Sequence, residues 1–208
     1  MKFLLNNIFI ITLNNKNKNI FIFYMSLREL VDNARTDKDT TRSYLQLYDT
    51  LFNGKKETAT DIFEIGICMG GSVKLWYDYF VNANIYSVDI IPIKNVWEEI
   101  RNKERIKLGR FDAYDESFVN SHLKNIKFDI ILDDGPHTLL SMRKCIKLYL
   151  PLLKEDGILV IEDVQSIDWI ETLKNDVPDG LKEYIEVYDL REKKNRYDDI
   201  VFVVNKSK

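Results

Sequence analysis

Two cysteines, Cys68 and Cys145, and two histidines, His122 and His137, are all that the 208 residues contain. With no Cys-x-x-Cys pair and no Cys/His cluster, a disulfide scaffold, a zinc finger and a histidine-rich metal centre are excluded. Glycine is also scarce, at 8 residues, so the places where glycines fall are informative. No apolar run approaches the roughly 20 residues of a membrane span. The unbroken apolar stretch and small-residue cleavage site of a secretory signal are missing too. The expected compartment is therefore the cytosol. Neither sign of charge dominates: 30 Lys+Arg against 33 Asp+Glu give a net −3. That balance offers no basic surface for general binding to nucleic acid or membrane. What the chain does have is core material, 45% hydrophobic and 12% aromatic, which excludes global disorder and fits one domain or slightly more.

Residues 1–24 mix apolar pieces with the interruptions Asn6-Asn7 and 14–19, and read as a dispensable N-terminal arm. Met25-Ser26 is then a candidate start of a single domain over 25–208, with a helical segment at 25–59 and a core at 60–208. In that helical segment the spacing predicts helices over 26–34 and 41–52, since Tyr44, Leu47, Tyr48, Leu51 and Phe52 recur on one face. Further along, β-rich runs at 61–65, 85–89, 105–108, 128–132 and 158–161 alternate with candidate helices at 72–81, 96–102, 116–123, 138–153 and 166–175. Alternation of this kind predicts an α/β fold, a mostly parallel sheet with helices on both faces. Two last runs, 184–190 and 200–204, flank a charged turn at 191–196 and read as a hairpin. It brings the sheet to seven strands and adds an antiparallel strand.

In an open parallel sheet, ligands sit beyond the carboxyl ends of the strands. The first strand runs into Glu64, Gly66, Gly70, Gly71 and Ser72, a glycine turn just before a helix. It does not match G-x-G-x-x-G, because Cys68 stands where the second glycine belongs. Glu64 argues further against a diphosphate ligand, since like charges repel, whereas a cationic cofactor tolerates it. Asp89 ends the second strand at the distance expected of a carboxylate gripping a ribose diol. Asp112-Ala113 follows the third, where an acid can cap an adenine amino group. Taken singly, Asp89 and Asp112 read equally well as solvated strand-end acids.

The most distinctive segment is 128–137, where a strand delivers Asp133-Asp134, a Gly-Pro turn and then His137 at a helix start. The next strand delivers Glu162-Asp163. Adjacent parallel strands bring these ends together, so three or four carboxylates converge. Unpaired, they would repel and raise one another's pKa. Either a divalent cation or arginines such as Arg143 and Arg191 would relieve this. An all-oxygen set favours Mg²⁺, with Mn²⁺ or Ca²⁺ as alternatives. His137 reads either as a base or as a helix-start residue bonded to backbone. His122 has no motif around it and reads as a surface helix residue; the cysteines read as core positions, with Cys68 able to line the glycine turn.

As an ordered set, the Glu64–Ser72 motif, Asp89 and Asp112-Ala113 resemble the class I S-adenosylmethionine-dependent methyltransferases. The terminal hairpin is similar to that family's antiparallel seventh strand. Residues 134–137 with Glu162-Asp163, together with Thr36-Asp37-Lys38, Tyr44 and Tyr48, narrow the resemblance to metal-dependent sugar O-methyltransferases of macrolide and polyketide tailoring. The resemblance implies a Rossmann-like methyltransferase fold. It implies cofactor contacts from Glu64, Gly66, Gly70, Gly71, Ser72, Asp89, Asp112, Ala113 and Asp133, Mg²⁺ ligation by Asp134, Glu162 and Asp163, and His137 as the general base. The implied reaction is methylation of a hydroxyl on a 6-deoxyhexose such as rhamnose, the 2-hydroxyl first. Its acceptor is a free sugar, a sugar nucleotide or a glycoside, and the enzyme is a homo-oligomer. A catechol-like or other vicinal diol is the alternative acceptor; a nicotinamide oxidoreductase is opposed by the missing fingerprint. The chain departs from the family at Pro136, where serine is frequent, and at Arg42, where histidine is common.

Overall fold

Seven apolar runs pair into one sheet in this computed structural model, which describes residues 4–5, 8–15 and 18–208, with side chains from residue 25 onward. The strands are β1 (Asp61–Ile65), β2 (Asn84–Asp89), β3 (Ile106–Arg110), β4 (Phe128–Asp133), β5 (Leu153–Ile161), β6 (Ile185–Asp189) and β7 (Ile200–Asn205). Their order is β3-β2-β1-β4-β5-β7-β6. The first five are parallel, while β7 runs antiparallel to both β5 and β6. The chain thus winds outward from β1 to one edge and then returns to fill the other side. The crevice between β1 and β4, where the winding reverses, is where such sheets place ligands.

Side chains alternate across the strands, as a pleat requires. Ile62, Ile130, Leu132, Val160 and Val201 pack on one face, with Tyr48 and Phe52 of α2 (Leu45–Phe52) and Trp76 of α3 (Gly71–Tyr79). Phe63, Ile131, Leu159 and Phe202 pack on the other, against Met142, Ile146 and Tyr149 of α6 (Leu139–Tyr149) and Leu173 of α7 (Trp169–Asp176). Every position of β4 is buried, which explains why its sequence is an apolar run broken by acids rather than a clean alternation.

Several boundaries differ from the sequence expectations for local reasons. The first helix, α1, spans only Leu27–Leu30. Beyond it, Asp32 and Asp37 accept hydrogen bonds from the backbone N–H groups of residues 34–36 and 40–42, turning the chain instead of letting it coil. Helix α2 accordingly starts at Leu45, not at 41. The 96–102 stretch narrows to α4 (Glu98–Arg101), and 116–123 divides into α5 (Glu116–Phe118) and a wider π turn. Helix α6 stops short of Pro151, and β5 begins at Leu153, five residues earlier than its apolar run, because a bulge lies opposite Phe128. The charged turn at the end carries a single helical turn, α8 (Arg191–Lys194).

Within the first 24 residues, strands Leu4–Leu5, Ile8–Asn15 and Lys18–Tyr24 pair antiparallel in a sheet of their own. Among the described residues no helix is long and apolar enough to cross a membrane.

Candidate active site

Strand register sets the geometry of the site. Ile65 pairs with Asp133, and Asp133 with Ile161, so the three loops that follow leave the sheet at one level. Asp134 N–H donates to the carbonyl of Ile65 and Glu162 N–H to that of Asp133, both at 3.0 Å. Gly66 sits at φ 97° directly against the β4 loop, where a Cβ would collide with the carbonyl oxygen of Asp134. Only glycine fits this approach.

Beside these loops lies a cleft of about 530 Å³, lined among others by Gly66, Asp89, Asp112, Ala113, Tyr114 and Asp134. Asp89 accepts the N–H groups of Ile67 and Cys68 at 2.9 and 3.0 Å, which draws the glycine turn over the end of β2. Asp112 accepts from Tyr114 N–H at 2.9 Å. Tyr114 in turn donates its phenol to Asp133 Oδ1, while Asp133 Oδ2 is buried with no partner. Burial pushes the Asp133 carboxyl up to about 6, against the pull of Tyr114 and Cys145. A glycine cradle and two acids, Asp89 and Asp112, along one cleft suit a ligand that carries donor groups and no phosphate, whereas Asp133, expected to contact the cofactor, is buried and is not part of the lining.

Glu64 and Ser72 stand behind this cleft. Ser72 Oγ and Trp76 Nε1 donate to the two oxygens of Glu64, at 3.0 and 2.9 Å, and Glu64 is wholly buried. They brace the start of α3. Gly70 and Gly71 pack against Ile100 and the backbone of Arg35, also away from the lining. Cys68 is exposed in the glycine turn, contrary to a core position, whereas Cys145 is buried beneath Asp133. His122 is exposed, as expected of a surface helix residue, and its ring stacks on Phe118 at 5.3 Å and lies 4.8 Å from Phe111.

At the cleft's inner end the acids converge. His137 Nε2 lies 3.5 Å from Asp163 Oδ2 and 3.8 Å from Asp134 Oδ1. One ligand atom from each of Asp134, His137 and Asp163 falls within 4.8 Å of the others, a separation that one divalent cation can span. Both His137 and Asp163 hold left-handed backbone, at φ 53° and 55°. Non-glycine residues adopt that conformation rarely and mostly where the surroundings enforce it.

Arg143 and Arg191 do not serve these carboxylates; they pair with Asp176 and Asp189 on the surface. The partners come from the turn between α1 and α2. Lys38 Nζ donates to Glu162 Oε1 and Oε2 at 2.8 and 2.6 Å and to Asp134 Oδ2 at 2.9 Å. Arg42 Nη2 meets Asp163 Oδ2, and its Nη1 meets Asp198 Oδ1, each at 2.8 Å. Tyr48 donates to Glu162 at 2.6 Å, and Tyr44 donates to Asp163. Burial alone would lower the Lys38 pKa, but the charges of Asp134 and Glu162 hold it well above its usual value. Burial raises Glu162 despite Lys38, and lifts Asp163 to about 6 despite Tyr44 and Arg42. Of the three acids expected to ligate a metal, Asp134 and Asp163 meet at His137, while Glu162 is turned toward Lys38.

Residues 63–164 match the family described as "Methyltransferase domain". Mycinamicin VI 2''-O-methyltransferase of Micromonospora griseorubida is 28% identical over 130 residues, covering 59% of this chain and 31% of that protein. The 8-demethyl-8-alpha-L-rhamnosyl tetracenomycin-C 2'-O-methyltransferase of Streptomyces olivaceus is 27% identical over 143 residues, 64% of this chain and 36% of that one. The chain therefore spans about a third of the length of the curated relatives it matches. Among solved structures, the MycE methyltransferase from the mycinamycin biosynthetic pathway, in complex with Mg and SAH, superposes with a TM-score of 0.68 at 22% identity. That match covers 87% of this chain and 55% of that one. Sheet order and antiparallel final strand agree with that structure: the chain has a Rossmann-like fold, of which residues 63–164 match the methyltransferase domain family.

Proposed function

We propose that this protein transfers a methyl group from S-adenosylmethionine to a hydroxyl of a sugar, assisted by Mg²⁺ or Mn²⁺. One observation carries the reading: a single turn after β4 gives Asp134, Gly135 and Pro136 to the cleft lining and Asp134 and His137 to the cluster with Asp163. A cofactor in the cleft and a hydroxyl at the cluster would then be neighbours.

The cleft residues suit the cofactor. Asp89 has about one acceptor site left for a ribose hydroxyl, because a carboxylate offers about four and backbone uses three here. Asp112, in the lining, remains for an amino group. Gly66 lets the ligand approach the backbone. Asp134 and Asp163, with Glu162 beside them, would hold the divalent cation, which makes a bound hydroxyl more acidic. His137 Nε2 accepts the hydroxyl proton, and histidine is the side chain that titrates nearest neutral pH. Methyl transfer to oxygen then needs alignment above all, and positioning alone contributes roughly 7–11 kcal/mol in well-oriented reactions.

The names of the relatives support a sugar acceptor, since one is a 2'-O-methyltransferase of a rhamnosyl tetracenomycin and another a 2''-O-methyltransferase of mycinamicin VI. A 6-deoxyhexose such as rhamnose, methylated at the 2-hydroxyl, is accordingly the acceptor we favour, and the cytosol the compartment. The test is a transfer assay with labelled cofactor and rhamnosides, with and without EDTA. Label on the sugar that disappears with EDTA supports the reading. Transfer only to catechols supports a different vicinal diol.

A further inference from the structure

The cluster that would take a divalent cation already contains two cations of its own. Lys38 is 1% exposed and its ammonium bonds both oxygens of Glu162 and one of Asp134. Arg42, 9% exposed, bonds the Asp163 oxygen nearest to His137. Three carboxylates therefore face two fixed positive charges. The segment that delivers them is pinned from outside: Lys194 Nζ donates to the carbonyl of Thr40 at 3.0 Å and to those of Asp39 and Arg42. Neither cation is free to leave as a solvated surface side chain would.

Resting on the methyl-transfer reading, we propose that Lys38 and Arg42 are resident counter-cations that compete with the divalent ion for Asp134, Glu162 and Asp163 and thereby set its affinity. The physical reasons are charge and occupancy. Each cation sits at hydrogen-bond distance from an oxygen the metal needs, and each repels a +2 ion in a buried crevice where the effective dielectric is far below that of water. Fixed cations also explain how such a carboxylate cluster stays folded with its acids in place before a metal arrives, since unpaired buried acids would be strongly destabilising. In this chain the metal site is one whose ligands exchange between an internal cation and an external one.

The experiment measures Mn²⁺ binding directly, by electron paramagnetic resonance of free Mn²⁺ at pH 8, on the full chain with no substrate. Lys38→Met and Arg42→Gln remove a charge; Lys38→Arg and Arg42→Lys keep it. Asp198 retains Arg196 at 3.2 Å when Arg42 is neutralised, so Arg42→Gln leaves no isolated charge there. The charge-removing variants are expected to bind Mn²⁺ at least tenfold tighter, about 1.4 kcal/mol, and the charge-keeping variants within threefold of the wild type. Equal or weaker binding in both charge-removing variants overturns the proposal. So does a uniform loss across all four variants, the signature of a purely structural role. S-adenosylhomocysteine titration of the same samples reports the cofactor site separately, so a failed metal competition is distinguishable from a failed methyltransferase reading.

Discussion

His137 Nε2 stands 3.5 Å from Asp163 Oδ2, and both residues are held in left-handed backbone at the ends of neighbouring strands. Two uncommon conformations facing each other across one crevice fix the imidazole beside the carboxylate without help from a bound ligand. For His137→Ala the expected outcome is unchanged binding of S-adenosylhomocysteine with turnover lower by about 10²–10⁴-fold. Titration calorimetry and single-turnover transfer read the two separately. A fully active variant would remove His137 from the base role.

Asp134 contributes one oxygen to Lys38 and another toward His137. Asp134→Asn is expected to abolish the response to Mg²⁺ and to lower activity to the level of the wild type in EDTA. Activity curves against metal concentration test this. A variant that keeps the wild-type curve would place the metal elsewhere.

Much of this was legible beforehand. The β4 run with Asp133, Asp134 and His137 announces itself because a fully buried strand has no reason to end in paired acids. The parallel sheet follows from alternation and its antiparallel strand from the terminal hairpin, whereas the order of the strands comes only from their pairing. What the sequence did not show is which cations neutralise the crevice. Lys38 lies 124 positions from Glu162 and Arg42 lies 121 from Asp163, and their segment is neither helix nor strand, so no periodicity marks it. The 36–38 motif was visible; its place in the site was not. Glu64 shows the converse. Its position at the cofactor turn was clear, but only the packed structure reveals that Ser72 and Trp76 hold it behind the cleft.

Gly66 makes a different kind of prediction, resting on shape. At φ 97° and against the Asp134 carbonyl, Gly66→Ala is both strained and obstructed. We expect a loss of about 1–3 kcal/mol in stability and weaker S-adenosylhomocysteine binding. Gly54→Ala, with nothing within 4 Å of the added carbon, serves as the control and is expected to match the wild type. Chemical denaturation of both variants checks the pair.

Burial pushes Glu64 from its ordinary 4.5 up to about 7, with Lys38 opposing. An acid whose folded pKa exceeds its unfolded value binds more protons in the native state, so this group's contribution to stability declines as pH rises from 4.5 to 7. The decline is on the order of 3 kcal/mol at most. Glu64→Gln removes the titration and is expected to flatten the stability profile over that window. Urea melts at half-unit pH intervals in EDTA measure it; an unchanged slope would show that Glu64 is ionised throughout.

Calorimetric titration with S-adenosylhomocysteine, in Mg²⁺ and again in EDTA, bears most directly on the central claim that the cleft along Gly66, Asp89 and Asp112 is a cofactor site. One-to-one binding in both buffers is the predicted result, because the cleft residues are set by strand register and not by metal. No heat and no thermal shift from a folded protein would contradict it.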